Sequence, residues 1–142
     1  MPDTFIQAAI QRAREALSLS EEVPGRAAYV ARLDRPGAGY YLVCFGLEEL
    51  TVGVAAVDAH DGELLSHAGL PGSGRHLAVT AGDASRRAAA ATTASPRLVW
   101  RPCRASFSML YPLWEVATAQ GPVYIDQQGH RWTSLEPGGP GG

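Results

Sequence analysis

One stretch limits what this chain can become: Thr51 to Ser66, TVGVAAVDAHDGELLS. It reads as two strands joined by a tight acidic turn at Asp61-Gly62. An Asp-Gly pair between apolar runs supplies the positive-φ residue that a short hairpin loop requires. A degenerate copy returns as Gly121 to Ser134, GPVYIDQQGHRWTS, with Gln128-Gly129 as its turn. A supersecondary unit used twice predicts a sheet built from hairpins and an internal duplication.

Upstream of the first hairpin, residues 4–19 predict an amphipathic helix. Ile6, Ile10, Ala13 and Leu17 make one apolar stripe, while Gln11, Arg12, Arg14 and Glu15 mostly fall off it. Thr4 and Gln7 have the spacing of a capping box, and Pro24-Gly25 ends the element. Ala27 to Leu33 alternates as a strand with Arg32 on its polar side. Arg35 to Gly39 is a turn of proline and glycine. Tyr40 to Phe45 is apolar on both faces, as a central strand would be. The first segment therefore predicts one helix followed by about four antiparallel strands.

Leu70 to Arg75, LPGSGR, reads as an internal linker. After it, Thr80 and Asp83 repeat the cap spacing and open an alanine-rich helix to about Thr93, with Ala84, Ala88 and Ala91 as its stripe. Such small side chains require close approach to a sheet. Ser95-Pro96 stops it. Strands follow at Arg97 to Arg101, Leu110 to Thr118, Pro122 to Asp126 and His130 to Leu135, with an irregular Pro102 to Ser108. The implied organisation is a first unit over 1–69, a linker over 70–75, a second unit over 76–136 and a disordered Gly/Pro tail over 137–142.

The two halves align in order. Thr4 and Gln7 match Thr80 and Asp83; Ala28-Tyr29-Val30 matches Leu98-Val99-Trp100; Tyr40 to Val43 matches Leu110 to Leu113 loosely. Val57-Asp58 with Gly62 matches Ile125-Asp126 with Gly129, at a period of about 70 residues. A helix followed by strands that close on Val54-Ala55-Ala56-Val57-Asp58 and Asp61-Gly62-Glu63-Leu64 resembles the PepSY-type domain, and Val123 to Gly129 resembles a weaker second copy. The resemblance implies a cystatin-like shape, a helix laid across a curved antiparallel sheet, in tandem. It also implies binding, inhibition or regulation rather than catalysis. The usual members are secreted or membrane-linked, and the start of this chain does not read as a secretory signal, because Asp3, Arg12 and Glu15 interrupt it. Residues 98–116 also look like proteins of GC-rich bacteria, a likeness that supplies no activity.

Composition narrows the partners. Charged residues are 18% of the chain and the formal net charge is −2, so the basic face that nucleic-acid binding needs is missing. No apolar run reaches the roughly 18 residues of a membrane span. The expected compartment is the cytoplasm, where Cys44 and Cys103 are reduced thiols. All 12 basic residues are arginine. A GC-rich genome is the bland source of that bias, but every cation is then a planar fork.

Asp58 to Glu63 gathers three carboxylates and an imidazole, but the spacing lacks the calcium-loop pattern and reads as a solvated turn. His60, His67, His76 and His130 form no zinc spacing and read as surface residues. Cys44 reads as a small hydrophobe. Cys103, between Arg101 and Arg104, reads as a partly exposed structural thiol, with a nucleophile or redox role as the sharper alternative. The best local candidate is the group Arg97, Trp100, Arg101, Arg104, Tyr111 and Trp114, with Ser106 and Ser108 nearby. Arginine forks hold carboxylates bidentately, and Trp, Tyr and Arg are the usual interface anchors. The bland alternative is a core with a polar rim.

The expectation is an α+β fold of two helix-plus-antiparallel-sheet units packed together. The expected function is a non-enzymatic module that binds a protein or peptide, by strand addition at a sheet edge or in a groove beside the helix. Neither cofactor nor metal is expected, and unpaired sheet edges allow a homodimer. The alternatives are a small enzyme or accessory factor in peptide or natural-product modification, and an immunity or antitoxin protein.

Overall fold

The computed structural model describes residues 2–88 and 91–135. Among them are two helices and eight strands, and the fold is α+β. They divide into two compact units. The first comprises residues 1–30 and 37–76, the second 31–36 and 77–142. The tail expected over 137–142 lies outside the described residues.

The first unit opens with helix α1 (Pro2–Ala16) and continues through strands β1 (Gly25–Arg32), β2 (Gly39–Leu47), β3 (Leu50–Asp58) and β4 (Leu64–Gly69). Its strands lie in the order β4-β3-β2-β1. The helix begins earlier than its sequence signal, so Thr4 lies inside the first turn rather than capping it. It ends earlier too. Ser18 takes φ 54°, the Ser18 N–H bonds the Glu15 carbonyl at 3.1 Å, and the Leu19 N–H bonds the Arg14 carbonyl at 3.0 Å. That pair of bonds satisfies the last helical carbonyls in a Schellman arrangement, with serine where glycine is usual.

The expected stripe is the one that packs. Ile10 and Ala13, joined by Ala9, bury against Val43 and Phe45 of β2 and Ala55 and Val57 of β3, with Ile6 and Leu17 at the margin. Arg14 departs from expectation, because it is buried beside this stripe. Its Nη1 donates to the Ser20 carbonyl at 2.8 Å and the Val23 carbonyl at 2.6 Å, and its guanidinium lies 5.2 Å from the Phe45 ring centroid. Arg14 thus ties the returning chain to the helix. On the other face of the same strands Tyr40, Leu42, Val54 and Ala56 are also buried, in keeping with strands apolar on both sides. β2 and β3 run in register from Tyr40↔Asp58 to Phe45↔Gly53, after which a bulge at Gly46 shifts the pairing.

The second unit comprises the end of β1, helix α2 (Ala81–Arg87) and strands β5 (Arg97–Trp100), β6 (Leu113–Thr118), β7 (Gly121–Ile125) and β8 (Arg131–Trp132). The expected capping box at Thr80 is formed: its Oγ1 accepts from the Asp83 N–H at 3.1 Å, and Asp83 Oδ2 accepts from the Thr80 N–H at 3.4 Å. The helix is shorter than its alanine run. Thr92 instead bridges Thr118, and the Thr93 N–H bonds the Ala117 carbonyl. Two successive β-branched threonines favour that extended path. Ala84 and Ala88 pack on Val116, Val123 and Ile125. An all-antiparallel sheet was expected, but Ala31 and Arg32 pair parallel with Val99 and Trp100. A parallel neighbour needs a long crossover, which the many residues between β1 and β5 supply.

The two hairpin turns singled out in the sequence share an aspartate and a left-handed glycine but differ in length, the first closing over four residues and the second over three. The Gly62 N–H bonds the Asp58 carbonyl at 3.0 Å, and the Gly129 N–H bonds the Asp126 carbonyl at 3.0 Å. Both glycines are left-handed, at φ 75° and 88°. In each, the aspartate carboxylate collects backbone N–H groups of its own turn: His60 and Asp61 for Asp58, Gln128 and His130 for Asp126. Burial pushes the Asp58 carboxyl up, but these hydrogen bonds outweigh it and hold the group below the usual carboxylate range.

Candidate functional site

The pleat of β5 and β6 decides where the six candidate residues go. Arg97 stands opposite Glu115 and Leu98 opposite Trp114, and directly opposed residues of an antiparallel pair share a face. Trp114 packs with the α2 cluster, so Leu98 and Trp100, two residues on, point to the helix side. Arg97 points to the other. The candidate group is therefore not one patch: a strand cannot place Arg97 and Trp100 on the same surface.

Each of the two candidate tryptophans has a defined internal role. Trp114 Nε1 donates to the Val79 carbonyl at 2.7 Å, while the Val79 N–H bonds Gln127 Oε1 at 3.1 Å. Together they pin the segment that leads into α2. Trp100 is only 5% exposed. Its Nε1 donates to Ser106 Oγ at 3.3 Å, and the Arg32 guanidinium sits 5.4 Å from its ring centroid. Arg32 also grips Asp34 with two bonds, at 2.7 and 3.1 Å, and that hydrogen bonding holds the Asp34 carboxyl below its ordinary range. On the opposite face Arg97 Nε bonds Glu115 at 2.7 Å. Burial, with the Glu115 carboxylate beside it, pushes the Tyr124 phenol up.

The other three candidates, Arg101, Arg104 and Tyr111, belong to the connection between β5 and β6, residues 101–112. Its order comes from one small side chain. Ser106 is buried, receives the Trp100 indole, and donates to the Tyr111 carbonyl at 2.7 Å, with the Ser108 carbonyl 3.0 Å away as a second acceptor. The Cys103 and Ser106 backbones bond each other in both directions, at 3.1 and 3.2 Å. With its backbone so fixed, the loop presents Phe107 at 72% exposure and Tyr111 at 43%, with Arg104 exposed on the same segment. Two large exposed aromatics on a hydrogen-bonded loop are an unusual use of apolar area for a chain with a well-formed core. Arg101, at the loop's root, has its Nε buried without a hydrogen-bond partner, a costly state for a charged fork.

Phe107 was not among the candidates. Its one signal in the sequence is a large aromatic between two serines in a segment that has no strand or helix period. Cys103, expected to be partly exposed, is fully buried, with Sγ 3.9 Å from the Ser106 carbonyl. Cys44 is buried as well, and burial pushes its thiol up to about 11, with Arg26 opposing the shift. His76, expected at the surface, is buried. Among the described residues no group of three or more His, Cys, Asp or Glu could hold a metal ion, and no helix is long and apolar enough to cross a membrane.

Comparison with protein-family models, with curated protein sequences and with solved structures found no match.

A reactive-thiol reading has a direct check. With both thiols buried, a thiol reagent such as DTNB at neutral pH is expected to modify Cys44 and Cys103 only as fast as the native chain opens, orders of magnitude slower than in denaturant. Rapid modification of Cys103 in the folded protein would revive the enzymatic alternative.

Proposed function

We propose that this protein is a non-enzymatic binding module that recognises a protein or peptide through the loop over residues 101–112. The observation that carries the reading is the exposure of Phe107 and Tyr111 on a backbone held by Ser106. A rigid aromatic anchor loses little conformational entropy when a partner covers it, and Phe, Tyr and Arg are what interface centres are made of. Arg104, on the same loop, and Arg101, at its root, supply forks suited to a partner's carboxylates. Trp100 and Trp114, by contrast, act from beneath: they hold the loop and the α2 entry in place.

The tandem PepSY-like organisation belongs to the same proposal. Its support is the repeated order of helix and strands, and a turn in each half that pairs an aspartate collecting backbone N–H groups with a left-handed glycine. Domains of that kind are associated with binding and regulation, the class to which the loop also points.

The test is a pair of variants, Phe107→Ser and Arg104→Glu, together in one chain. Both side chains are exposed, so the melting temperature is expected to stay within about 2 °C of wild type. Affinity-tagged wild type is expected to retain a partner from the native host that the double variant loses by at least about tenfold. Equal recovery by both proteins would remove the loop from the recognition surface.

A further inference from the structure

The outer strand of the first unit's sheet is a feature separate from the loop. β4 is the last strand in the order β4-β3-β2-β1. Its register against β3 pairs Val54 with Ala68 and Ala55 with His67, and the Leu70 N–H bonds the Val52 carbonyl at 2.9 Å. In an antiparallel ladder, hydrogen-bonded and non-bonded pairs alternate. Val52/Leu70 and Val54/Ala68 are therefore bonded pairs. His67 and Gly69 belong to the other set, and their N–H and C=O groups point away from β3.

That edge has one irregularity, between Ala56 and Val57 where Leu65 has no register partner, but lacks two other protections. Its residues, Leu-Leu-Ser-His-Ala-Gly, include no proline and no Lys, Arg, Asp or Glu, the devices by which edges are kept from pairing. The contrast within this chain is direct: β8 is two residues long and carries Arg131, which donates to the Ala88 carbonyl at 3.0 Å. One outer strand is two residues long and charged, and the other is six residues long and uncharged.

We propose that β4 pairs with β4 of a second copy, antiparallel, about a two-fold axis at His67. Such a pairing opposes His67 to itself, using its outward backbone groups in both copies, and sets Gly69 beside the irregularity at Leu65. Ser66, Ala68 and Gly69 are small enough to let the strands close to bonding distance. Charge fixes the direction. Asp58, Asp61 and Glu63 cluster at the start of β4, whereas residues 64–74 carry no formal charge and Arg75 follows. Antiparallel pairing sets the acidic end of one copy beside the neutral-to-basic end of the other, while parallel pairing would stack the acidic ends. A closed two-fold also consumes both bare edges, which an added peptide would do only once.

The full chain is tested as it stands. Sedimentation velocity between about 1 and 300 µM is expected to show a monomer passing to a dimer and no further. Over the same range, hydrogen exchange at the His67 and Gly69 amides is expected to slow severalfold, while the Ala68 amide, bonded to β3 throughout, keeps its rate. His67→Pro removes an outward donor without touching the β3 ladder and is expected to stay monomeric at every concentration, with a cooperative melt. A wild-type monomer at the highest concentration overturns the proposal, as does concentration-independent exchange at His67 and Gly69. The exchange measurement needs no variant, so it decides the matter even if His67→Pro folds poorly.

Discussion

Gly46→Ala is expected to lower the stability of the first unit by about 3 kcal/mol, which combines a strained backbone with overpacking. Gly46 sits at the bulge where β2 loses register with β3, at φ 107°. Alanine is strained there whatever the space around it. There is also no space. A Cβ on Gly46 would lie 2.5 Å from the Leu50 carbonyl oxygen and 3.2 Å from the Val52 nitrogen. Those are backbone atoms of the facing strand, so they cannot swing aside as a side chain would. Relief would require giving up the Gly46 N–H bond to the Pro24 carbonyl at 2.8 Å, or the 3.0 Å bond from Arg26 to the Gly46 carbonyl. Urea titration should show the midpoint falling with an unchanged slope. Gly37→Ala is the matched control. Gly37 is also left-handed, at φ 84°, but nothing lies within 4 Å of its added Cβ, so only the backbone share of the cost, about 1 kcal/mol, is expected. Equal losses at the two sites would refute the steric argument.

Removal of the Arg14 side chain has an effect of the same order for a different reason. Arg14→Ala deletes both carbonyl bonds made by Nη1 and the contact with the Phe45 ring, and leaves the Ser20 and Val23 carbonyls without that donor. Broken buried charge-assisted bonds with a lost packed stem cost about 3 kcal/mol. The Glu21 carboxylate, 3.6 Å from Nε, is exposed and contributes little. Arg14→Lys is expected to recover less than half of the loss, because an ammonium lacks the planar fork that lies over the Phe45 ring and is more strongly hydrated than a guanidinium. Thermal and urea unfolding of the three proteins decide it. Full rescue by lysine would show that charge alone matters at this position.

These two residues also mark where the sequence stops being readable. The hairpin of β3 and β4 and the α1 stripe are legible because alternation and helical spacing are local properties of the chain. The turns at Gly62 and Gly129 are legible because left-handed backbone favours glycine. Arg14 is not, since an arginine beside an apolar stripe is ordinarily solvated; its burial depends on carbonyls at Ser20 and Val23 that arrive only after the chain turns back. Thr4 and Thr80 carry the same cap signal, yet only Thr80 caps, because nothing local to Thr4 stops the helix from starting at Pro2.

The candidate site shows the same limit. Arg97, Trp100 and Trp114 look alike as interface residues in one dimension. The two-residue pleat then sends the tryptophans inward and Arg97 to the opposite face. Phe107 lies in a segment that reads only as irregular, and its exposure emerges from the loop that the Ser106 bonds hold. Hydrogen bonds within the folded loop, not composition, decide which aromatic residues stay exposed.

The account stands on the claim that the loop over residues 101–112 is a recognition surface. Site-specific photocrosslinking in the native host tests it most directly, with a benzophenone amino acid placed at Phe107 in one protein and at Leu47, 65% exposed on the first unit, in another. The prediction is a discrete adduct of one partner from position 107 and none of that species from position 47. The same adduct from both positions, or none from position 107 while the labelled protein remains folded, would contradict it.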